Sequence, residues 1–411
     1  MQKGKTVMKQ IKGGVCAAKG FKAAGIHAGI RKNKTKKDFA LIISETRASA
    51  ASTYTQNLVK GAPIYVTKAN LEDGYASAII CNSGNANTCN ANGIEIAEGM
   101  CELVEKHTGI SKKDVVVAST GVIGQPLDLT PMANAMEGLV ALLNNDGSND
   151  AAEAIMTTDL AKKEIAFEFE INGKTCHIGG IAKGSGMIHP NMATMLVFVT
   201  TDVAIAPEML QKALSADIQD SFNMISVDGD TSTNDMVSVL ANGMAENPVI
   251  DKTGEAYDVF RQALSAVTTY LCRQIAKDGE GASKLLESHV HGAKDTKNAK
   301  MVAKSVVCSS LFKAAMFGAD ANWGRILCAI GYSGAECDVN KVAVSLASNA
   351  GKILVCQNGS GVDFDEDTAK TILSEDEIII DITLGDGNGE AVAWGCDLTY
   401  DYVKINGDYR T

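Results

Sequence analysis

The chain has 411 residues, of which 45% are hydrophobic and 21% charged, and its formal net charge is −11. The composition is typical of a globular protein, and the length predicts two domains or one large one. Because the chain is acidic and has no Arg-rich stripe or basic tail, these values argue against a protein that binds nucleic acid.

The cysteines and the apolar segments indicate the compartment. The 11 cysteines are scattered from Cys16 to Cys396 without a C-x-x-C pair, which favours free thiols in a reducing cytosol over a disulfide framework. No apolar run reaches 18 residues, and no apolar segment follows the basic residues at the N-terminus. We therefore expect a cytoplasmic protein with neither a transmembrane helix nor a signal peptide.

The first part of the chain alternates short β-rich runs with amphipathic helices. Buried apolar runs predict three strands, at residues 38–44, 77–81 and 114–118. Helical spacing predicts a helix over residues 93–107 that ends at Gly109. Thr130 and Pro131 are predicted as the N-cap and first residue of another helix, which reaches about residue 143.

The middle of the chain carries a strong hairpin signal. Residues 164–171 alternate strictly, Asn172 and Gly173 follow them, and residues 174–181 return. A buried strand is then predicted at residues 195–200. Further helices are predicted at residues 207–222, 256–277 and 300–317.

From about residue 340 the pattern changes to several short strands, and G-D-G-N-G at 385–389 is predicted as a hairpin turn. The mixed order of strands and helices, together with the many small residues, predicts a layered α+β fold. We expect a main domain at residues 1–280 and a smaller C-terminal α/β domain at residues 281–411.

One segment, K-G-S-G-M-I-H-P-N-M-A-T-M-L at 183–196, carries the chemistry. Its glycines and the His189-Pro190 pair shape a turn that presents Thr194 at the start of an apolar strand. The Thr194 hydroxyl can attack the carbonyl of Ala193 and break the chain there. The new N-terminal threonine then has a nucleophilic hydroxyl and an α-amine that can act as its base. The alternative is a plain loop that leads into a core strand.

Three other signals do not support a site. Residues 228–235 resemble a calcium loop, but the glycine is misplaced and the final glutamate is missing, which favours turn-type capping. His289 and His291 lack a third metal ligand nearby and read as a half-exposed strand pair. Residues 385–389 lack the strand–helix context of a nucleotide loop. We therefore expect no metal and no bound cofactor.

The 183–196 segment closely resembles the self-processing site of the ornithine acetyltransferase family, also called glutamate N-acetyltransferases. The resemblance extends over essentially the whole chain, in the family's order, and ends with Y-V-K-I-N-G-D-Y-R-T. The other similar segments are N-S-G-N-A-N (82–87), S-T-G-V-I-G (119–124), M-T-T-D (156–159), S-V-D-G-D-T-S-T-N-D (226–235), K-D-G-E-G-A-S-K (277–284) and G-A-D-A-N-W-G-R-I (318–326).

The resemblance implies a fold and a reaction. The fold is an α/β/β/α sandwich like that of N-terminal-nucleophile hydrolases, with a smaller C-terminal domain. Cleavage between Ala193 and Thr194 gives an α chain, 1–193, and a β chain, 194–411. The acetyl group of N2-acetyl-L-ornithine passes to Thr194 and then to L-glutamate, which recycles it within arginine biosynthesis. Some members also use acetyl-CoA as a co-substrate.

The resemblance also implies site residues. Thr120 and Gly121 form the oxyanion hole, for which their position just past a strand is suitable. The substrate-binding residues are Thr157, Lys183, Thr194, Glu280, Asn406 and Thr411. Lys183 would hold a carboxylate and Glu280 the ammonium of the ornithine side chain. For either of these two residues taken alone, the alternative is a solvated charge on a loop.

Two rival functions remain at this stage. One is a self-cleaving aminopeptidase of the same architecture, for which we expect a serine nucleophile and no match in the C-terminal tail. The other is an unprocessed binding or scaffold protein. The sequence does not separate members that use acetyl-CoA from those that do not. We expect the α and β fragments to remain together in an αβ unit that is itself dimerised or tetramerised.

Overall fold

A computed structural model of the chain describes residues 7–189 and 195–407, which form two β-sheets surrounded by helices. The strands are β1 (Lys9–Ile11), β2 (Phe21–Ile26), β3 (Phe39–Tyr54), β4 (Tyr75–Asn85), β5 (Val115–Val122), β6 (Lys163–Ile171), β7 (Lys174–Lys183), β8 (Leu196–Thr201), β9 (Ile225–Ser226), β10 (Met236–Ala241), β11 (Leu285–Ala293), β12 (Ala343–Ser348), β13 (Gly351–Gln357), β14 (Ser360–Gly361), β15 (Glu377–Thr383) and β16 (Gly389–Cys396).

The α-helices of the described residues are α1 (Ala62–Asn70), α2 (Gly93–Thr108), α3 (Thr130–Ala141), α4 (Ser148–Ile155), α5 (Pro207–Asp217), α6 (Glu255–Lys277), α7 (Thr296–Cys308), α8 (Ser310–Phe317), α9 (Trp323–Gly331), α10 (Glu366–Leu373) and α11 (Tyr400–Asn406). Short 3-10 turns lie at Gly14–Cys16, Lys112–Asp114, Phe222–Met224 and Val339–Lys341. Within the described ranges no helix is long and apolar enough to cross a membrane.

The first sheet has the strand order β1-β6-β7-β8-β10-β3-β4-β5, and β2 pairs with β3. The pairs β8–β10 and β4–β5 are parallel, and the other pairs are antiparallel. Every residue of β8 and of β10 is buried, which explains why these central strands are mostly apolar and do not alternate between apolar and charged residues. Their position places the start of β8 between the end of β7 and the start of β10.

The second sheet has the order β14-β13-β12-β15-β11-β16-β9. Helix α6 contacts β6 and β7 of the first sheet and β11 and β16 of the second. Its buried residues recur at helical spacing, for example Phe260, Leu264, Val267 and Leu271. One large apolar cluster therefore spans both sheets. The expected α+β class with two sheets is confirmed.

The domain division stays a prediction. The strands of the second sheet follow residue 280, except for β9, which pairs with β16.

The expected hairpin at Asn172-Gly173 is present between β6 and β7, and both turn residues have positive φ, 50° and 75°. The helix predicted over 256–277 is α6, and α2 ends at Gly109 in a left-handed conformation, as expected.

Four sequence predictions were wrong in detail. The segment 300–317 forms two helices, because the Ser309 side chain accepts from the Phe312 N–H and caps a second helix. Helix α5 ends at Asp217 rather than continuing to 222. Thr130 is the first residue of α3 rather than its N-cap. Its N–H donates to the side chain of Asp128, which precedes the helix. The strand predicted at residues 38–44 is β3, which continues to Tyr54.

The predicted hairpin at 385–389 was also wrong. β15 and β16 lie on opposite sides of β11, so the loop between them crosses the end of that strand. The Asp386 and Gly387 N–H groups donate to the carbonyl oxygen of Gly292 near the end of β11, and β15 and β16 do not pair with each other. A turn sequence shows that the chain reverses there, but not which strand becomes the neighbour.

Candidate active site

One cavity gathers every predicted site residue that the structure describes, namely Thr120, Gly121, Thr157, Lys183, Glu280 and Asn406. Ala193, Thr194 and Thr411 lie outside the described residues. Other residues also line the cavity, including Ala86, Ile123, Thr158, Gly186, Met187, Ser232, Thr233 and Asn234. Residues far apart in sequence therefore converge at the ends of β5 and β7.

Thr120 and Gly121 lie at an irregularity in the parallel pairing of β4 and β5. Gly121 has a φ of 133°, and a Cβ atom there would lie 2.3 Å from the backbone carbon of Gly84. Both the conformation and the close approach therefore require glycine. The hydroxyl of Thr120 makes no hydrogen bond within the described part of the chain. This arrangement is suited to donors that face a ligand.

Lys183 is the last residue of β7, and only 8% of it is exposed. No ion pair or hydrogen bond joins its ammonium group to another residue in 7–189 or 195–407. A buried cation is stable only with a counter-charge or with water, and this one lines the cavity. The site is therefore prepared to receive an anion such as a carboxylate.

Glu280 places a negative charge in the same cavity, and it too is only 8% exposed. Its Oε2 accepts a hydrogen bond of 2.7 Å from the Nδ2 of Asn406 in α11. A Cβ at Gly186 would come within 2.3 Å of the Glu280 carboxyl carbon, so the second glycine of G-S-G leaves room for this side chain. The hydrogen bond from Asn406 and the space left by Gly186 therefore hold the Glu280 carboxylate at one wall of the cavity.

A buried ion network holds the loop that carries Thr157. Asp159 accepts from the N–H groups of Thr157 (2.9 Å) and Gly184 (2.7 Å) and pairs with Lys163 at 2.7 Å. Lys163, which is 1% exposed, also pairs with Asp278 at 2.5 Å. Although burial opposes ionisation, the cations Lys163 and Lys183 keep the pKa of Asp159 well below its usual range.

Sequence reasoning gave no role to the residues of S-T-N-D at 232–235, although the structure places them at the cavity. The Nδ2 of Asn234 donates to the carbonyl oxygens of Ala86 (2.5 Å) and Ser119 (3.0 Å). Asn234 therefore joins the early N-S-G-N-A-N loop to the strand of Thr120. The sequence signals were the run of small polar residues and the resemblance of residues 226–235 to the family, neither of which assigned a role to Asn234.

Asp228 anchors the backbone of the 183–196 segment at residues 187 and 188. Its carboxylate accepts from the N–H groups of Met187 (2.6 Å) and Ile188 (2.9 Å), and also from the N–H of Asp230. The bond from Asp230 is the turn-type capping that the sequence favoured, whereas the two bonds from residues 187 and 188 are long-range contacts that it did not predict. Burial lowers the pKa of His189, the last described residue before the gap, to about 4, so its imidazole is neutral at pH 7.

The two histidines of β11 have carboxylate neighbours. His289 lies 3.1 Å from Glu287, and His291 lies 3.5 Å from Asp381. In the described ranges no group of three His, Cys, Asp or Glu side chains is arranged to hold a metal ion.

Comparison with known proteins gives consistent matches. The ArgJ family model matches residues 22–411. The arginine biosynthesis bifunctional protein ArgJ 1 of Clostridium acetobutylicum is 50% identical over 95% of this chain and 96% of its own length. ArgJ of Bacillus subtilis is 48% identical over 98% of each chain.

A crystal structure of ArgJ from Bacillus halodurans is also similar, with 49% identity and a TM-score of 0.50. The match covers 99% of that crystallised chain but only 52% of this one. The family model and the full-length relatives confirm the resemblance read from the sequence. The chain belongs to the ArgJ family, and it is an acyltransferase of arginine biosynthesis.

Proposed function

We propose that the protein transfers the acetyl group of N2-acetyl-L-ornithine to L-glutamate through an acetyl ester on Thr194. In this ping-pong cycle the Thr194 hydroxyl takes the acetyl group, ornithine leaves, and glutamate then accepts the group. The nucleophile arises when the chain cleaves itself between Ala193 and Thr194.

The observation that carries the proposal is the pairing of one buried cation with one buried anion in a single cavity. Lys183 makes no hydrogen bond or ion pair within the described residues, and Glu280 is held in place by Asn406. N-acetylornithine carries an α-carboxylate and a side-chain ammonium, which match these two charges. Thr157 lines the same wall and supplies a small hydroxyl for further contact.

The shape of the β4–β5 irregularity supports an oxyanion hole at Thr120 and Gly121. Negative charge develops on the acetyl oxygen during transfer, and donors fixed in advance stabilise it without reorganising. The Thr120 hydroxyl and the Gly121 N–H are the proposed donors. Removing one such donor typically lowers the rate by about 10²–10³.

Two observations support cleavage at Ala193–Thr194. The crystallised chain of the Bacillus halodurans relative is about half as long as this chain, which is the length of either fragment that the cut would produce. In addition, Met195, the residue bonded to Thr194, lines a small cavity together with Thr120 and Lys183. The segment that follows the cut therefore begins at the site.

The second half-reaction requires the site to adapt. Glutamate has a carboxylate where ornithine has an ammonium, so we propose that water mediates its contact with Glu280. The relatives are named bifunctional, and on that basis acetyl-CoA is proposed as a second acetyl donor. We also propose that the two fragments assemble as an αβ unit that forms (αβ)2 or larger particles in the cytoplasm.

The test is whether ornithine release depends on glutamate. With purified protein and N-acetylornithine, sustained ornithine release that requires glutamate and yields an equal amount of N-acetylglutamate supports transfer. Continuous release with free acetate and no need for glutamate would instead indicate a hydrolase. Lack of any turnover would favour the binding-protein alternative.

A further inference from the structure

The side chain of Asn234 is buried beside the cavity, and only 6% of the residue is exposed. Its Nδ2 donates to the carbonyl oxygens of Ala86 (2.5 Å) and Ser119 (3.0 Å). Its Oδ1 accepts from the hydroxyls of Thr88 and Thr233, both at 2.6 Å. A side-chain amide has two N–H donors and one oxygen with two acceptor sites, so all four positions are used. Because carbonyl oxygens can only accept, these bonds fix the amide in one orientation.

One of these bonds reaches the residue directly before the proposed oxyanion hole. Ser119 precedes Thr120 on β5, and the Ser119 hydroxyl donates to the Oδ1 of Asn82 at 2.6 Å. The carbonyl and the hydroxyl of Ser119 are therefore both held. The hydroxyl of Thr120, by contrast, makes no hydrogen bond within residues 7–189 and 195–407. Its position is therefore set by the backbone that carries it.

The other carbonyl bond of Asn234 reaches the residue that follows β4. At this point the parallel pairing of β4 and β5 is irregular, since Asn85 is opposite both Thr120 and Val122. An irregularity disrupts the backbone ladder that otherwise fixes two strands relative to each other. The amide of Asn234 adds a bridge from the end of β4 to β5, across the place where the ladder is disturbed.

The surroundings leave room for this amide. A Cβ atom at Gly61, directly before α1, would lie 2.5 Å from the Nδ2 of Asn234 and 2.8 Å from the Oγ1 of Thr88. The Gly61 N–H also donates to the carbonyl oxygen of Thr233 at 2.9 Å. Glycine at position 61 therefore allows the chain before α1 to close over the hydrogen bonds of Asn234.

We propose that Asn234 is a positioning residue that fixes the Ser119–Thr120 peptide and thereby aims the donors of the oxyanion hole. This inference rests on the proposed function. Because a peptide group is planar, holding its carbonyl oxygen also holds the nitrogen and Cα of Thr120. Donors stabilise the developing charge best when they are in place before the reaction. A displacement of about 1 Å can lower the rate by about 10²-fold.

Direct contact with the substrate is the alternative role for Asn234, because it lines the cavity. Its two donors are engaged with carbonyl oxygens and its oxygen with two hydroxyls, which leaves no hydrogen-bonding capacity for a ligand. The amide is also neutral, whereas Lys183 and Glu280 supply the charges that match the substrate. A change that disturbs positioning alone should therefore lower kcat and leave KM nearly unchanged.

The experiment measures kcat and KM for N-acetylornithine, with glutamate as acceptor, in the full-length wild type and in Asn234→Asp. Aspartate has nearly the shape of asparagine, but it donates at most one hydrogen bond, and none when ionised. The amount of cleaved chain is determined by intact mass, so that kcat refers to cleaved enzyme. We expect Asn234→Asp to lose about 10- to 100-fold in kcat and to keep KM within about threefold.

Two further variants separate positioning from contact and from general damage. Thr88→Val removes a hydroxyl that holds the Asn234 oxygen, at a buried position that does not line the cavity. Its kcat should fall by about three- to tenfold at unchanged KM. Asn247→Asp is the matched control, because the Nδ2 of Asn247 likewise donates to two carbonyl oxygens, at 3.1 and 2.9 Å, away from the cavity. Its kcat and KM should equal those of wild type.

A loss of kcat below tenfold in cleaved Asn234→Asp would overturn the inference. A raised KM at unchanged kcat would also overturn it by showing substrate contact, and so would an equal loss of kcat in Asn247→Asp. If Asn234→Asp does not fold or cleave, Thr88→Val decides, and a loss of kcat below threefold refutes the inference. Failure of both variants to give folded, cleaved protein would make these residues structural and refute it too. Failure of the wild type itself to cleave or transfer would instead defeat the proposed function.

Discussion

At the scale of single residues, two opposite charges define the proposed substrate site. Lys183 and Glu280 come from the end of a strand and from the loop after α6, and both are almost fully buried. Neither would be singled out by composition, because most Lys and Glu residues are solvated. Their burial in a shared cavity distinguishes them from ordinary surface charges.

We predict that Lys183→Met weakens substrate binding more than it slows chemistry. A charge-assisted hydrogen bond to a carboxylate contributes about 1.5–3 kcal/mol, so KM for N-acetylornithine should rise by about 10- to 100-fold. Steady-state kinetics measure the change. Lys174→Met, at an exposed position, is the matched control, and equal KM values for the two variants would show that Lys183 does not hold the carboxylate.

How much of the site was predictable depends on the kind of residue. The proposed oxyanion pair and the charged pair were named from the family resemblance, and they line one cavity. Asp235 and Asn234 were not named, because a buried carboxylate or amide in a polar run looks like turn chemistry until its neighbours are known. Contacts across the sheet, here between β8 and β10, have no local sequence signal.

At the scale of elements, the network of Lys163, Asp159 and Asp278 ties three site segments together. It links the Thr157 loop, the Gly184 backbone after β7 and the loop that precedes Glu280. The Oγ of Ser185 also donates to the carbonyl oxygen of Asp278 at 2.6 Å. The placement of both proposed substrate charges therefore depends on one buried lysine.

We predict that Lys163→Met destabilises the fold, because it leaves two carboxylates without their cation. Breaking a buried pair in this way typically costs about 3–5 kcal/mol. Urea unfolding monitored by circular dichroism should show a lower midpoint by the corresponding amount. Lys174→Met removes only an exposed, 3.7 Å pair and should stay within about 0.5 kcal/mol of wild type. Equal midpoints for both variants would contradict this view of the network.

A second prediction at this scale concerns pH and α5. Burial raises the pKa of Asp217 to about 6, against the effect of hydrogen bonds from Thr268 and Ser221. A raised folded-state pKa gives stability that is complete below about pH 4 and is lost as the pH rises through 6. An asparagine at position 217 has no carboxyl proton to lose, so the Asp217→Asn variant should avoid that loss of stability.

Between pH 4.5 and pH 7.5 the unfolding free energy of Asp217→Asn should therefore improve relative to wild type by about 2 kcal/mol. Denaturant titrations of both proteins at the two pH values measure this difference. A constant difference would mean that Asp217 does not titrate in this range in the folded protein.

The elements also show where sequence reasoning ends. Apolar runs and Asn-Gly located β6, β7 and α6, because these signals are local. The break at Ser309 was missed because the residues on both sides favour a helix and one side-chain cap decides the outcome. The loop at 385–389 was misread because the insertion of β11 between β15 and β16 depends on distant residues.

At the scale of the whole molecule, the proposed cut falls inside a continuous sheet. Strands β8 and β10 follow the cut, yet they lie between β7 and β3, which precede it. The large apolar cluster likewise combines residues from both sides, such as Ile178 and Val199. The fragments therefore share one core, and the strands of the first sheet are divided between them.

We predict that cleavage leaves the two fragments in one particle. In native buffer, size-exclusion chromatography with light scattering should show both fragments in a single peak, and denaturant should separate them. The reason is that separation would expose β7 and β8, whose apolar residues are buried in the sheet. Separate peaks in native buffer would contradict this shared-core account.

The most direct test of the central claim is the intact mass of the purified wild type beside a Thr194→Ala variant. The account predicts two fragments in the wild type, ending at Ala193 and beginning at Thr194, and one uncut chain of about 43.1 kDa in the variant. N-acetylornithine should then add one acetyl group to the C-terminal fragment alone. A wild type that remains a single chain, or an acetyl group on the other fragment, would contradict the account.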